Sequence, residues 1–293
     1  MAVIEEGSFD AAARRLQITP SAVSQRIKAL EQQVGQVLVK RERPCVPAAS
    51  ALPLVRVAAQ MALLEAEAIA QLRGGEQHAT RISLAVNADS MATWFTGVFG
   101  MLGDDVLVEV HIEDQDHSAR LLRDGAVMGA VTTERRPIPG CRVHPLGAMR
   151  YVPVAGRAFA TRFLPSGFTA AAVAHAPTVS WNRDDALQED FVRKVFRRSV
   201  AMPVHYVPTV EGNLAAIQAG LGWGMFPDAL PPHGQLVRIS DDHLDVPLYW
   251  QCWKLDSVLV AKVTDAVRSA AAKLTSPQSR VRGRRTATSS AGR

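Results

Sequence analysis

The sequence predicts an α/β protein with a small, mostly helical N-terminal unit, and three observations carry that expectation. Two capped helical segments joined by a tight turn occupy residues 7–34. A heptad-spaced apolar helix follows, over residues 52–72. From Arg81 onward strand-like and helix-like segments alternate, the pattern of a parallel sheet with helices on its faces.

The first helical segment opens at Ser8, whose hydroxyl suits an N-cap, and runs into the strong helix formers Ala11, Ala12 and Ala13. Phe9, Ala12, Ala13 and Leu16 fall on one apolar side. Thr19-Pro20 restarts the helix, with Thr as cap and Pro at the first helical position, where a missing N–H costs nothing. Val23, Ile27, Leu30 and Val34 recur at helical spacing and predict one buried stripe. Ser21, Gln25, Lys28 and Gln32 fall on the opposite side. Such side chains bond base edges and phosphates in a DNA major groove, and Ser24 belongs to the same run. A merely solvated helix face is the plainer alternative.

The segment after that helix decides between the two. Val37-Leu38-Val39-Lys40-Arg41-Glu42-Arg43-Pro44 alternates and then turns, as a small β wing does. Lys40, Arg41 and Arg43 would supply its phosphate contacts. Double-stranded DNA is therefore the first partner expected, and residues 1–51 form a winged helix-turn-helix unit.

In the next segment, 52–75, Leu54, Met61 and Ala68 repeat every seven residues, as do Val57 and Leu64. They form a seam for a partner helix, ended by Gly74-Gly75; an internal core helix is the alternative. Residues 80–270 hold the strands Ile82–Val86, Val106–Ile112 and Gly129–Val131, with helices Met91–Met101 and Ser118–Asp124 between them. A second set comprises Tyr151–Val154, Phe168–His175, Thr178–Trp181, Gln188–Ser199 and Val204–Val207. The tail 275–293 has few large apolar residues to offset its ordering entropy and is expected to be disordered.

The net charge of +5 is uneven. Residues 1–60 carry eight Lys/Arg against five Asp/Glu, residues 271–293 carry six Lys/Arg and no acid, and the middle is mildly acidic. That distribution fits DNA contact at the N-terminal end. No apolar run approaches the ~18 residues of a membrane span, and no secretion signal is legible, so the expected compartment is the cytoplasm. Cys45, Cys141 and Cys252 are far apart and odd in number, which argues against zinc or a disulfide framework.

In open α/β sheets, ligands bind beyond the C-terminal ends of strands. The first such loop is Asn87-Ala88-Asp89-Ser90, where Ser90 and the next helix suit a carboxylate and Asp89 suits a cation. A free amino acid carries both charges; simple helix capping is the plainer reading. Acids that could meet a cationic side chain include Glu113, Asp114, Asp116, Asp184, Asp185 and Glu211, with Asp114 or Asp184 preferred. Trp223 is the expected aromatic wall, and Thr132 and Thr133 are expected to help hold the carboxylate.

Nothing points to catalysis, a cofactor or a metal. Gly220-Leu221-Gly222-Trp223-Gly224 follows a helix and precedes a strand, whereas a dinucleotide loop does the reverse. No Gly-x-Ser-x-Gly, P-loop or His-x-x-x-His pattern occurs.

Residues 7–44, including Thr19-Pro20-Ser21-Ala22-Val23-Ser24 and Leu30-Glu31, resemble the winged helix-turn-helix of LysR-type transcriptional regulators. The likeness extends over about residues 1–270, and the two α/β lobes resemble that family's type II periplasmic-binding-protein-like effector domain, with a cleft between the lobes. Asn87 to Phe95, Gly140-Cys141, Pro145-Leu146-Gly147 and Gly220 to Pro227 resemble the ArgP/LysG-like branch. That branch implies lysine or arginine as effector and control of a basic amino-acid exporter gene. The resemblance also implies a homodimer or homotetramer paired through the linker helix, and RNA polymerase as a further partner. Only Met1 to Glu6 stands where the family carries a full first helix, so the apolar faces of the next two helices are expected to be partly uncovered. Two readings from other classes stay open: an architectural or replication-associated DNA-binding protein, and a solute-binding module with impaired DNA binding.

Overall fold

The computed structural model describes residues 1–72, 79–113, 115–230, 234 and 236–274, and for residues 115–117 only the backbone. The Gly74-Gly75 stop, Asp114, the Asp116 side chain and the basic tail lie outside the described residues.

At the N-terminus, helices Ala2–Glu5, Phe9–Leu16 and Pro20–Val34 pack around Val3, Ala12, Ala13, Val23, Val39 and Cys45. Both caps form as the residue types predict. Ser8 Oγ accepts from the Ala11 N–H at 3.1 Å, and Thr19 Oγ1 accepts from the Ala22 N–H at 3.2 Å. Strands Val39–Lys40 and Val46–Pro47 pair antiparallel and make the wing. The first helix, though short, brings Val3 onto Ala12 and Ala13, so the inner face is covered.

The apolar stripe on Pro20–Val34 is shorter than the periodicity predicts. Val23 is buried and Ile27 half-buried, but Leu30 and Val34 are exposed. The eight-residue helix beneath reaches about 12 Å, against about 22 Å for the fifteen-residue helix above it, and the cover runs out.

The helix Leu52–Leu72 matches its expected span. Counting the tight turn that opens it, Ala49–Leu72 is long and apolar enough to cross a membrane, which corrects the expectation that no segment qualifies. Arg56, Glu65 and Glu67 interrupt it, and Arg56 and Glu67 bond to groups of the protein itself.

The described residues fall into two compact units, the first including the N-terminal helices and the linker helix: those within 1–87, 98–144 and 250–267, against those within 88–97, 145–249 and 268–274. In the first, Thr80–Val86 pairs parallel with Val106–Ile112 and with Gly129–Thr132. In the second, Cys141–Gly156 pairs antiparallel with Leu236–Arg238 and with Gly224–Pro227, while Thr178–Ser180 and Val204–Tyr206 form a separate parallel pair. The sheet is mixed rather than all parallel. Cys141–Gly156 and Leu244–Trp253 are long strands that each belong to both units. Pro145, Gly147 and Pro153 break the apolar pattern of the former, which is why only Tyr151–Val154 was expected there.

The expected helix Met91–Met101 is replaced by a short turn Ala88–Ser90, a wide π turn Met91–Phe95 and a last turn Thr96–Phe99. Thr93 Oγ1 donates to the Asp89 carbonyl at 2.6 Å, and such back-bonding favours a widened turn.

Gly125 supplies the tightest approach to the linker helix. Its φ is +80°, and a Cβ there would stand 2.7 Å from Arg56 Cα. Gly140 has a similar φ of +84° but open space around it. Gly125→Ala is therefore expected to cost roughly 1–3 kcal/mol more than Gly140→Ala. Urea unfolding midpoints of the two variants measure the difference.

Candidate functional site

The surface expected to face DNA is formed by the second capped helix and the wing. Ser21, Gln25 and Lys28 are exposed on the helix, and Lys40, Arg41 and Arg43 are exposed on the wing. Ser21 shares its hydroxyl with Thr19 at 2.9 Å, so part of its bonding capacity serves the cap. Ser24 is half-buried and accepts from Arg41 Nη2 at 3.5 Å. The Arg41 guanidinium also lies 4.8 Å from the Phe9 ring centroid, which fixes the cation between helix and wing. Glu31 carries a role the sequence reading missed. Its Oε1 accepts from the Leu38 and Val39 N–H groups at 2.8 and 3.3 Å, and so anchors the start of the wing. The three-residue approach of Gly35-Gln36-Val37 after a Glu in the last turn was the available signal.

The effector candidates divide between the two units. In the second unit, Asp89 Oδ2 accepts from the hydroxyl of buried Tyr151 at 2.7 Å. Burial, outweighing the bond from Tyr151, pushes the Asp89 carboxyl up from 3.8 to about 6, with the negative charge of Asp185 adding to the rise. Burial and the Asp89 charge raise Tyr151 as well, so its hydroxyl stays a donor. Ser90 is fully buried, and neither its Oγ nor Trp94 Nε1 has a hydrogen-bond partner. In the first unit the buried Asn87 Oδ1 is likewise unpartnered. Buried polar atoms without partners cost ~1–3 kcal/mol each, so this stretch gains from any ligand that bonds to them.

Asp185, rather than Asp184, is the acid turned inward. Asn182 Oδ1 accepts from the N–H groups of Asp184 and Asp185, at 2.8 and 2.9 Å, in a tight Asx turn. That turn leaves Asp184 exposed and aims Asp185 at Ser180 Oγ, 2.9 Å away, and at the Trp181 and Leu187 N–H groups. Gln188 Oε1 lies 3.2 Å from the same Ser180 hydroxyl and competes for its proton, and Gln188 Nε2 donates to the Val179 carbonyl. Tyr151 and Gln188 gave little signal, the one inside an apolar strand and the other inside a charged helix.

Other expectations are corrected. Trp223 is fully buried, edge-on to Phe168 at 5.3 Å and tilted against Phe191, so it is core packing and no exposed wall. Glu211 is exposed in the first turn of helix Val210–Gln218, the favourable end for an acid. In the first unit Thr132 is fully buried, and its hydroxyl accepts from Gln251 Nε2 at 3.4 Å. Gln251, fully buried too, donates to the Glu134 and Arg136 carbonyls and accepts from the Ile138 N–H, at 2.9, 3.1 and 2.9 Å. Among the described residues no group of three His, Cys, Asp or Glu is placed to hold a metal.

A winged helix bearing exposed cations, a long linker helix, and a half-buried acid beside unpartnered polar atoms together define a ligand-responsive DNA-binding protein as a class. The pattern of the bacterial regulatory helix-turn-helix proteins of the lysR family matches residues 1–51, and that of the LysR substrate binding domain matches residues 75–273. The chain belongs to the LysR family of transcriptional regulators.

Among relatives, it is 64% identical over 286 residues to the HTH-type transcriptional regulator LysG of Mycobacterium tuberculosis H37Rv, covering 96% of this chain and 94% of that protein. It is 41% identical over 278 residues to the lysine export transcriptional regulatory protein LysG of Corynebacterium efficiens, covering 92% and 95%. The crystal structure of ArgP from Mycobacterium tuberculosis superposes with a TM-score of 0.88 at 65% identity, over 94% of this chain and 96% of that one. Full-length LysG from Corynebacterium glutamicum with bound effector Arg gives 0.75 at 38% identity, over the same shares.

The raised Asp89 sets a pH dependence. A carboxyl that holds its proton more tightly when folded stabilises the fold fully below pH 3.8, and that contribution is lost as pH rises through about 6. Asp89→Asn is therefore expected to raise the melting temperature of the ligand-free protein at pH 7 and to flatten its fall between pH 4 and 6. Calorimetry across that range checks both.

Proposed function

We propose that this chain is a sequence-specific transcriptional regulator that binds lysine or arginine and controls a gene for a basic amino-acid exporter. The observation that carries the effector reading is Asp89, a half-buried carboxylate facing one neutral donor, beside the unpartnered hydroxyl of Ser90. An α-amino acid brings an ammonium group for Asp89 and a carboxylate able to accept from Ser90. The Asp185 charge, held close by Ser180 and two backbone donors, adds to the preference for a cation. Asp114 and Asp184, the acids preferred in the earlier expectation, are outside the described residues and exposed, respectively. The names of the relatives support lysine and arginine as the amino acids and export as the controlled step.

On the DNA side, Gln25 and Ser21 are proposed to read bases, Lys28, Arg41 and Arg43 to hold phosphates, and Ser24 to position Arg41. The exposed seam Leu54, Val57, Met61 and Leu64 supports pairing with a second copy, which would set two recognition helices on successive half-sites. Homotetramer assembly and contact with RNA polymerase belong to this proposal, as does action in the cytoplasm. Regulation, not catalysis, is its activity.

Fluorescence anisotropy on the duplex upstream of the exporter gene, against a random duplex and with and without arginine, tests the whole reading. Preferential binding that arginine alters is expected; equal binding to both duplexes, unaffected by either amino acid, would overturn it. Gln25→Ala is expected to cut the preference for the specific duplex by about 5- to 150-fold, one base contact being worth ~1–3 kcal/mol, while random-duplex affinity holds. Arginine affinity, read by titration calorimetry, is expected to fall below pH 6 as Asp89 takes up its proton, and to drop at least about 30-fold in Asp89→Asn.

A further inference from the structure

The linker helix Leu52–Leu72 carries two stripes. Leu54, Val57, Met61 and Leu64 make the exposed one. Arg56, Ala59, Leu63 and Glu67, spaced three, four and four residues apart, make a second that faces the chain's own first unit. Leu63 is buried and Ala59 packs on the cluster around Leu122, Val127 and Trp253. Polar ties mark both ends of this stripe. Arg56 Nη1 donates to the Pro139 carbonyl at 3.3 Å. Glu67 Oε1 accepts from Ser257 Oγ at 2.6 Å and from the Leu259 N–H at 2.9 Å.

The Glu67 contact is a helix cap supplied from a distant part of the chain. Helix Val258–Ala270 begins with free N–H groups; Ser257 Oγ takes that of Val260 at 3.1 Å, and the Glu67 carboxylate takes that of Leu259. The helix dipole favours an anion there, and both bonds are charge-assisted. The two ties are eleven residues apart, about 16 Å along the axis, so together they fix the rotation of the linker helix as well as its position.

The parts at either end of this helix are themselves tied. Ser50 Oγ donates to the Val37 carbonyl, which joins the start of the linker to the wing. Trp250 Nε1 donates to Thr264 Oγ1 at 3.0 Å, which joins helix Val258–Ala270 to Leu244–Trp253, a strand shared by both units. Glu67 is a polar link between those two tied assemblies.

We propose that Glu67 is a positioning residue for effector control: it latches the linker helix to the start of helix Val258–Ala270, so that effector binding is felt by the recognition helix. The proposal rests on the effector-responsive reading above. Its readout is the ratio of operator affinities without and with arginine, measured by anisotropy on the full chain, alongside arginine affinity measured by calorimetry. In the parent protein this ratio is expected to differ from one by about 5- to 150-fold in either direction. Glu67→Ala is expected to bring it to within about twofold of one while arginine affinity stays within about twofold of the parent's. Glu67→Gln, whose amide oxygen still accepts both bonds, is expected to restore most of the ratio, and Ser257→Ala to weaken it from the other side. An unchanged ratio in Glu67→Ala overturns the latch alone, as does an equal loss of operator affinity with and without arginine. A parent ratio of one overturns the effector-responsive reading and the latch with it.

Discussion

The linker helix has to satisfy two apolar sides, and a single copy of the chain supplies cover for only one. Leu63 is sealed against the first unit, whereas Met61, two residues earlier, is left in solvent. At ~25 cal/mol per Å², leaving a row of Leu, Val and Met side chains wet is a standing penalty that a second helix removes. The geometry of the DNA-reading unit follows from this. The wing is tied to the linker's first turn, so whatever pairs two linkers also sets the separation of two recognition helices.

At the other functional end the governing term is the cost of burying charge. Asp89 has one neutral donor, Tyr151, and a like charge nearby, and the protein answers by raising the affinity of that carboxyl for a proton. Asp185, by contrast, is saturated by Ser180 and two backbone N–H groups. One acid is satisfied by its own fold and the other is not, so a cation finds its best seat at the second. On the proposed reading, selectivity for a charged amino acid arises from what the fold leaves incomplete.

Local chemistry was the part most legible in the sequence. Ser8 and Thr19 cap because a hydroxyl three residues before a free N–H needs nothing from elsewhere, and the heptads of the linker can be counted directly. The loop at Asn87 to Ser90 was legible for the same reason, since it follows a clean apolar strand. What was hidden depended on distant pairing. Proline and glycine mask the strand Cys141–Gly156, and its antiparallel partners can be recognised only once the sheet has formed. The choice between Asp184 and Asp185 turned on an Asx turn at Asn182, which adjacent acids in a sequence do not announce. Trp223 was expected as an aromatic wall, yet the glycines that flank it let the backbone close in around a buried ring: a Cβ on Gly222 would stand 2.8 Å from the Pro177 carbonyl oxygen.

Gln251 has a bearing on how such a protein can diversify. One side-chain amide serves the backbone of Glu134, Arg136 and Ile138, so the segment between them behaves as an extension of the sheet. A leucine of similar volume at 251 would remove three bonds to the backbone at once. Changes are therefore expected to be tolerated at exposed Arg135, and hardly at all in the length of that segment or in the residue that staples it.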